Sequence, residues 1–599
     1  MKIAAASLNQ TPIDWENNKK NILEAIHQAQ KKKVDLLCLP ELCITGYGCE
    51  DIFLSDWVYE KAEQVLLEIV PEVTNITAVI GLPILRNGKR YNTACIITNK
   101  KIKGFHAKVF LANDGIHYEK RWFTPWVKGR KHFYTIDNNR VPFGEYIYEL
   151  YGKRVGIEIC EDAWHIERPG LRYDYEGVDI ILNPSASHFA LDKTDIRKKI
   201  VEDASAKFTC TYVYANLLGN EAGRTIYDGE IFFAEQGEII GRNQLLSFQN
   251  VNLMVSDELE TAPYLSKEEQ FRDAVCLGLF DYLRKSKTKS FILSLSGGAD
   301  SSACAVLVYL MLQKAIQELG FDLTCKKIGL IFSSEKELYS KMLITAYQAT
   351  KNSGNETFTA AKKLANSIGA TFYNWEIDDE VNSYTQKIEN AIGRNLTWTT
   401  DDITLQNIQA RTRSPIIWML ANIYHGLLLT TSNRSEGDVG YATMDGDTSG
   451  SIAPIAGIDK DFLRKWLVWA EKKENLSGLS YVNNLEPTAE LRPQDQHQSD
   501  EDDLMPYHIM KEIEKLAIGK YKSPIDTYQL LQNKNLCQAD LLKTYIKKFF
   551  RLWSYNQWKR ERLAPNFHLD EFNIDPRSWY RFPILSGSYQ EELSALDKY

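Results

Sequence analysis

Three side chains suited to acyl transfer each follow a short apolar run. Leu36-Leu37-Cys38-Leu39-Pro40 leads into Glu41, Lys108 lies within FHAKVFLANDG, and Arg154–Ile159 leads into Cys160. Layered α/β sheets present reactive groups at strand ends. A thiolate can attack an amide carbon, with a carboxylate to take the thiol proton and later activate water. An ammonium can stabilise the oxyanion of the tetrahedral intermediate. Taken singly, each has a plainer reading. A cysteine after a strand is most often a small buried hydrophobe, and a lone Glu or Lys near a loop is a solvated charge.

A second stretch, FILSLSGGADSSACAVLVYL, reads as strand, glycine turn and helix. Gly297 and Gly298 permit positive φ and close approach of the backbone to an anion. The helix start adds unpaired N–H groups and a favourable dipole. Ser296, Ser301 and Ser302 supply hydroxyls, and Asp300 could hold a divalent cation on phosphates. No G-x-x-x-x-G-K-[ST] is present, so this is not a Walker loop. A glycine turn with an Asp-Ser-Ser helix cap is the plainer alternative.

The elements that must position these groups alternate. In the first half, Lys2–Leu8, Val34–Leu39, Ile76–Gly81, Asn92–Thr98, Arg154–Cys160, Ile180–Asn183 and Tyr212–Ala215 read as strands, and Trp15–Lys31 as a helix. A polar, proline-bearing segment, 257–267, reads as a linker. The alternation then restarts: helix Ala274–Lys285, strand Lys289–Leu295, helix Ala303–Leu319, strand Lys326–Phe332 and helix Asn355–Ser367. A late helical stretch is basic (Lys543, Lys547, Lys548, Arg551, Lys559, Arg560, Arg562) and alone would be a solvated face. The pattern predicts an α/β protein with domains at 1–256 and 268–565 and an irregular tail at 566–599.

LPELCITGYGCED at 39–51, KVFLANDGIHYEKRWFTPW at 108–126 and GIEICEDAW at 156–164 resemble the nitrilase superfamily in order and spacing. The resemblance implies a four-layer α-β-β-α sandwich, with Glu41 as general base, Lys108 at the oxyanion and Cys160 as nucleophile. It implies Glu119 as a second glutamate near the site, and Asp114, Ser187 and Lys193 as contacts for glutamine. The string SGGADSS resembles the ATP pyrophosphatase signature of the adenine-nucleotide α-hydrolase-like fold, a doubly wound parallel sheet. LQNIQARTR at 405–413, TTSNRSEGDVGYATMDGDTSGSIAPIAGIDK at 430–460 and PTAELRPQDQHQSDEDDLMPY at 487–507 resemble the NAD synthetase family. That implies Thr431 on ATP, Asp300 and Glu436 at Mg²⁺, and Asn407, Glu436, Asp447, Lys460 and Lys559 toward deamido-NAD or its phosphates.

Together the two resemblances imply glutamine-dependent amidation of deamido-NAD with ATP as co-substrate, a passage that keeps released ammonia neutral, and a homo-oligomer, an octamer in the family's pattern. The alternatives are an amidohydrolase fused to a regulatory nucleotide-binding domain, a nucleotide-sensing scaffold, or another glutamine-dependent ligase.

Length and composition fit this reading. At 599 residues the chain is long enough for two to four domains. Its 44% hydrophobic and 25% charged residues exclude bulk disorder. A net charge of −8 disfavours a nucleic-acid coat. The ten cysteines are scattered without a C-x-x-C pair, which predicts free thiols in a reducing compartment rather than a zinc knot. The opening MKIAAASLNQTPIDW reads as a strand rather than a secretory peptide. No run approaches 18 consecutive apolar residues, so a cytoplasmic chain without a membrane span is expected.

Overall fold

The computed structural model describes residues 1–113, 115–485, 491–492 and 499–599. Asp114 and most of the string PTAELRPQDQHQ therefore lie outside the described residues. The chain divides into two compact units, Met1–Asp281 and Tyr282–Tyr599.

The first unit is built on two sheets. In chain order its strands are β1 (Ile3–Leu8), β2 (Leu36–Cys38), β3 (Thr77–Arg86), β4 (Lys89–Thr98), β5 (Lys101–Ala107), β6 (Lys131–Ile136), β7 (Asn139–Gly144), β8 (Tyr148–Leu150), β9 (Lys153–Ile157), β10 (Ile180–Ser185) and β11 (Thr211–Asn216). A short ribbon, β12 (Leu218–Asn220) and β13 (Ile226–Asp228), is followed by β14 (Ile231–Glu235), β15 (Glu238–Arg242) and β16 (Val251–Val255). One sheet has the order β16-β1-β2-β3-β4-β5-β7-β6 and the other β15-β14-β11-β10-β9-β8.

Strand residues alternate between two apolar layers. Ile3 and Ala5 of β1, Leu36 and Cys38 of β2, and Val79 of β3 meet Ile157, Leu182, Val213 and Phe233 of the other sheet. Ala4, Ala6, Leu37, Ala78 and Ile80 face the opposite way and pack on helices α1 (Trp15–Lys31) and α2 (Trp57–Ile69). Helix α3 (Lys193–Lys207) covers the outer face of the second sheet through Val201 and Ala204. The result is the α-β-β-α sandwich. Because both faces of the central strands are buried, they read as unbroken apolar runs. The polar segment 257–267 is stitched to β15: Ala262 N–H donates to the Arg242 carbonyl at 2.9 Å, and the Arg242 guanidinium returns bonds to the Ala262 and Pro263 carbonyls. Helix α4 (Lys267–Ser286) follows.

The second unit holds a four-stranded, all-parallel sheet: β17 (Phe291–Ser294), β18 (Leu343–Ala349), β19 (Thr371–Glu376) and β20 (Leu427–Leu429), ordered β19-β18-β17-β20. Two crossovers run outward from β17, through α5 (Ala299–Leu319) and α7 (Asn355–Ser367). The third returns past β17 through α8 (Asp402–Ile423). Right-handed crossovers in opposite directions place their helices on opposite faces, so the sheet is doubly wound, with its switch point between β17 and β20. Helix α5 is long and apolar enough to cross a membrane, but most of it is buried inside the protein, as in a core helix.

One sequence expectation fails here. Lys326–Phe332 is not a strand. Phe321–Ile328 forms helix α6, with Thr324, Cys325 and Ile328 buried at helical spacing, and Gly329 ends it in the left-handed conformation at φ +78°. The short apolar run on either side of that glycine imitates a buried strand. Beyond residue 500 a helical core assembles around Met510, Ile513, Phe549, Phe550 and Trp553. Helix α11 (Ala539–Tyr555) turns this apolar stripe inward. Phe572, Ile574, Leu593 and Leu596 of the last segment enter the same core.

Gly297 sits at φ +85° at the start of the loop after β17, and a Cβ there would lie 2.2 Å from the Thr357 carbonyl oxygen. Gly297→Ala should therefore destabilise this unit by about 1–3 kcal/mol, read as a lower urea midpoint at unchanged slope.

Candidate active sites

In the first unit Glu41, Lys108, Glu119 and Cys160 share one buried pocket. Glu41 follows β2, Lys108 follows β5 and Cys160 follows β9. The Glu41 turn lies against Gly81 of β3, where a Cβ would stand 2.3 Å from the Leu42 nitrogen. The Lys108 ammonium donates to Glu41 Oε1 at 2.6 Å and to Glu119 Oε1 at 2.7 Å, with all three side chains fully buried. Asn92 Nδ2 also donates to Glu41 Oε1, at 2.7 Å. Glu41 Oε2 is buried and has no hydrogen-bond partner among the described residues. One oxygen of this carboxylate is fixed and the other is available to a reacting proton.

Cys160 has φ +44°, an uncommon backbone state for a residue with a Cβ. Strain of this kind concentrates at functional turns. Burial raises its thiol pKa, Glu41 and Glu119 raise it further, and Lys108 opposes them, so the resting group is a thiol that needs a base. Burial lowers the tendency of Lys108 to stay charged, but Glu119 and Glu41 more than offset this and hold it protonated. Asp162 ties the pocket together: it accepts from the backbone N–H of Val109 (3.0 Å), Phe110 (2.7 Å) and Ile159 (2.9 Å), joining the lysine loop to the cysteine turn.

Tyr47 donates to Glu119 Oε1 at 2.7 Å. Ser187 is buried, its backbone clamped by both ends of the Asn216 amide at 2.8 Å. Lys193, half-buried at the start of α3, donates to His188. Asn92 and Tyr47 carry no local signature, because each works through partners distant in sequence. For Asp162 the available cue was its place two residues after the cysteine.

The second unit contains a cavity of about 1070 Å³ at the switch point, lined by Ser294 and Ser296 after β17 and by Thr430 and Thr431 after β20. Gly298, Asp300, Asn407, Glu436, Asp447 and Lys559 also line it. Gly297, Ser301, Ser302 and Lys460 do not. Ser301 instead braces the loop, its Oγ 3.1 Å from Ser296 Oγ. Ser302 is fully buried in α5. Glu436 lies on the short helix α9 (Arg434–Val439). Asn433 caps that helix by accepting from Glu436 N–H at 3.0 Å, and its amide donates to Asp300 Oδ1 at 3.0 Å.

Buried Lys460, at the start of helix α10 (Lys460–Lys473), donates to Asp300 Oδ2 and, at 3.1 Å, to Glu436 Oε1. Burial pushes Glu436 up to about 8 against the pull of Lys460, and Asp300 and Asp500 add to the rise. Asn407, Asp447 and Lys559 converge on the loop after α9. Thr443 donates through Oγ1 to Asn407 and through N–H to Asp447, each at 2.7 Å, while Lys559 donates to the Gly440 and Ala442 carbonyls at 2.7 and 2.9 Å.

Comparison with known proteins agrees with both halves. The carbon-nitrogen hydrolase family model matches residues 2–262 and the NAD synthase model residues 272–562. A crystal structure of a glutamine-dependent NAD(+) synthetase from Cytophaga hutchinsonii is 53% identical, with both chains covered completely and a TM-score of 0.91. This chain belongs to the glutamine-dependent NAD(+) synthetase family. The human enzyme of that family is 28% identical across 97% of this chain and 95% of its own length, and the Arabidopsis thaliana enzyme 29% across 96% and 91%. The Acinetobacter baumannii synthetase, at 23% identity and a TM-score of 0.68, shares the fold.

In this family member the Lys108 clamp carries a clear energetic expectation. Lys108→Met would leave two buried carboxylates uncompensated and should cost about 3–5 kcal/mol. Adding Glu119→Gln should recover part of that loss in the same denaturation assay.

Proposed function

We propose that this chain converts deamido-NAD to NAD, taking nitrogen from glutamine and energy from ATP, and releasing glutamate, AMP and pyrophosphate. The observation that carries the reading is the pairing on one chain of a buried Glu-Lys-Cys pocket and a glycine-loop cavity at a parallel-sheet switch point.

In the first pocket, Glu41 Oε2 takes the Cys160 proton as sulfur attacks the glutamine carboxamide. Lys108 faces the developing oxyanion. The proton passes to the departing nitrogen, so ammonia leaves neutral and a glutamyl thioester remains. Glu41 then deprotonates the water that cleaves the thioester. Ser187 and Lys193 contact glutamine, together with Asp114.

In the second unit the nicotinate carboxylate of deamido-NAD attacks the α-phosphorus of ATP. Ser296, the Gly297–Gly298 turn and the N-terminus of α5 receive the departing pyrophosphate. Thr431 contacts ATP. Asn407, Asp447 and Lys559 hold the dinucleotide. Ammonia then displaces AMP from the mixed anhydride.

Asp300 and Glu436 suit Mg²⁺. They are two close, partly buried acids whose shared need for positive charge is met in this structure by the Lys460 ammonium. When bound there, the ion would neutralise charge on the ATP phosphates. Ammonia is nucleophilic only when unprotonated, so this reading includes its passage between the chemistries without exchange into bulk solvent. It also includes assembly as a homo-octamer, which light scattering tests.

Cys160→Ala should lose glutamine-driven NAD synthesis by at least about 100-fold and keep synthesis driven by ammonium chloride. Asp300→Ala should lose both. Equal loss of both activities in Cys160→Ala would overturn the division of labour.

A further inference from the structure

The end of strand β10 meets the cysteine turn through its backbone, and three buried side chains that take no part in the steps above govern that meeting. In a parallel sheet the N–H and C=O of one residue point to one neighbouring strand, and those of the next residue to the other. Leu182 of β10 turns toward β9, where its carbonyl accepts from Glu158 N–H at 3.0 Å. Ser185 turns the other way, and its carbonyl accepts from Leu217 N–H, just past β11, at 3.1 Å. Ser187 does the same: its N–H donates to Asn216 Oδ1 and its carbonyl accepts from Asn216 Nδ2, each at 2.8 Å. Ala186, between them, therefore directs its N–H back to the β9 side, where Cys160 stands in its left-handed turn. That N–H faces the sulfur and eases its ionisation.

Asn216 ends β11, where it pairs with Ser185, the last residue of β10. Its side chain carries the ladder one rung further, standing in for backbone. The amide cannot be turned over, because one end receives an N–H and the other gives to a carbonyl. Its second hydrogen goes to Asp228 Oδ1 at 2.8 Å. Asp228 Oδ2 accepts from Arg197 Nη2. Arg197 lies one turn after Lys193 on α3, and its Nε is 2.8 Å from Glu230 Oε2. Arg242 stands 3.3 Å from the other oxygen of Glu230, so two guanidiniums balance two carboxylates. Asn216 is fully buried, and Asp228 and Arg197 nearly so. A buried ion cluster seldom gains stability over apolar packing, which favours a use in positioning.

We propose that Asn216 is a positioning residue for the thiol chemistry: its amide spans the Ser187 peptide and keeps the Ala186 N–H on the Cys160 sulfur, while Arg197, acting through Asp228, keeps Asn216 in place. When Glu41 takes the thiol proton, the new charge on sulfur finds this N–H already aimed at it. The same clamp sets Ser187, and Arg197 ties it to the helix that begins with Lys193. The two residues read as glutamine contacts thus share one anchor.

The proposal deepens the glutaminase reading, and the experiment keeps the two apart. In the full-length protein, without glutamine, Cys160 is alkylated with iodoacetamide across a neutral pH series and the modified peptide is quantified. The titratable groups near that sulfur are Glu41, Lys108, Glu119, Tyr214 and Tyr227, and the substitutions change none of them. Asn216→Ala should slow alkylation about tenfold at each pH, the effect of one hydrogen bond lost to the thiolate. A merely loosened fold would expose the buried thiol and speed alkylation. Glutamine-driven kcat/KM should fall at least about tenfold, with ammonium-driven synthesis unchanged. Asp228→Asn keeps the shape but sets a donor against a donor, so it should act in the same direction to a smaller extent, and it carries the test if Asn216→Ala does not fold. Alkylation at the wild-type rate or faster, or equal loss of glutamine- and ammonium-driven synthesis, would overturn the positioning role. Glutamine-driven synthesis that survives Cys160→Ala would instead overturn the glutaminase reading, with the alkylation result still deciding the placement of the N–H.

Discussion

A carboxylate taken out of water must be met by a cation, and both reaction centres meet that demand in the same way. Lys108 lies between Glu41 and Glu119, and Lys460 lies between Asp300 and Glu436. Each lysine allows two acids to stay close, fully buried at Glu41 and Glu119 and partly buried at Asp300 and Glu436, where removing one partner would expose the cost of an unpaired charge. In the first site the clamp spends one oxygen of Glu41 and leaves the other for proton transfer. In the second it holds a negative pair beside the glycine loop after β17. The sheets, loops and caps around these lysines serve to keep four carboxylates in register with the groups they act on.

Backbone geometry supplies the rest of the positioning. The reactive residues of the first unit all follow strands, and Asp162 gathers three backbone N–H groups to lock the cysteine turn onto the lysine loop. In the second unit Asn433 does comparable work, capping α9 with its oxygen and holding Asp300 with its nitrogen. Arg434, next in sequence, is buried and paired with Glu514 and Asp570, so the helix carrying Glu436 is anchored to the late helical core. Preorganised polar groups of this kind stabilise developing charge without reorganising during the reaction.

Much of this was legible in the sequence because strand, turn and reactive residue are neighbours along the chain. Glu41, Lys108, Cys160 and the SGGADSS loop each follow an apolar run, and the helix after the loop shows its apolar spacing directly. What was not legible depends on distant contacts. Nothing near Asn92 marks it as the partner of Glu41, 51 residues away, and nothing near His117 announces His188, 71 residues on. The misread strand at 326–332 has a different cause. A helix stop at Gly329 between apolar residues looks like a short strand until the 321–328 spacing is weighed with it. Strand β19 was missed because half of it faces solvent and its pattern is mixed.

The central claim is that a thiol in one unit frees nitrogen which the nucleotide chemistry of the other installs. The direct measurement uses glutamine labelled with ¹⁵N at the amide, with ATP, Mg²⁺, deamido-NAD and an excess of unlabelled ammonium chloride. Mass spectrometry of the NAD formed and chromatography of the spent nucleotide give the answer. The account predicts NAD carrying mainly ¹⁵N, with one AMP per NAD. NAD carrying the unlabelled nitrogen of the bulk pool, or ADP in place of AMP, would contradict it.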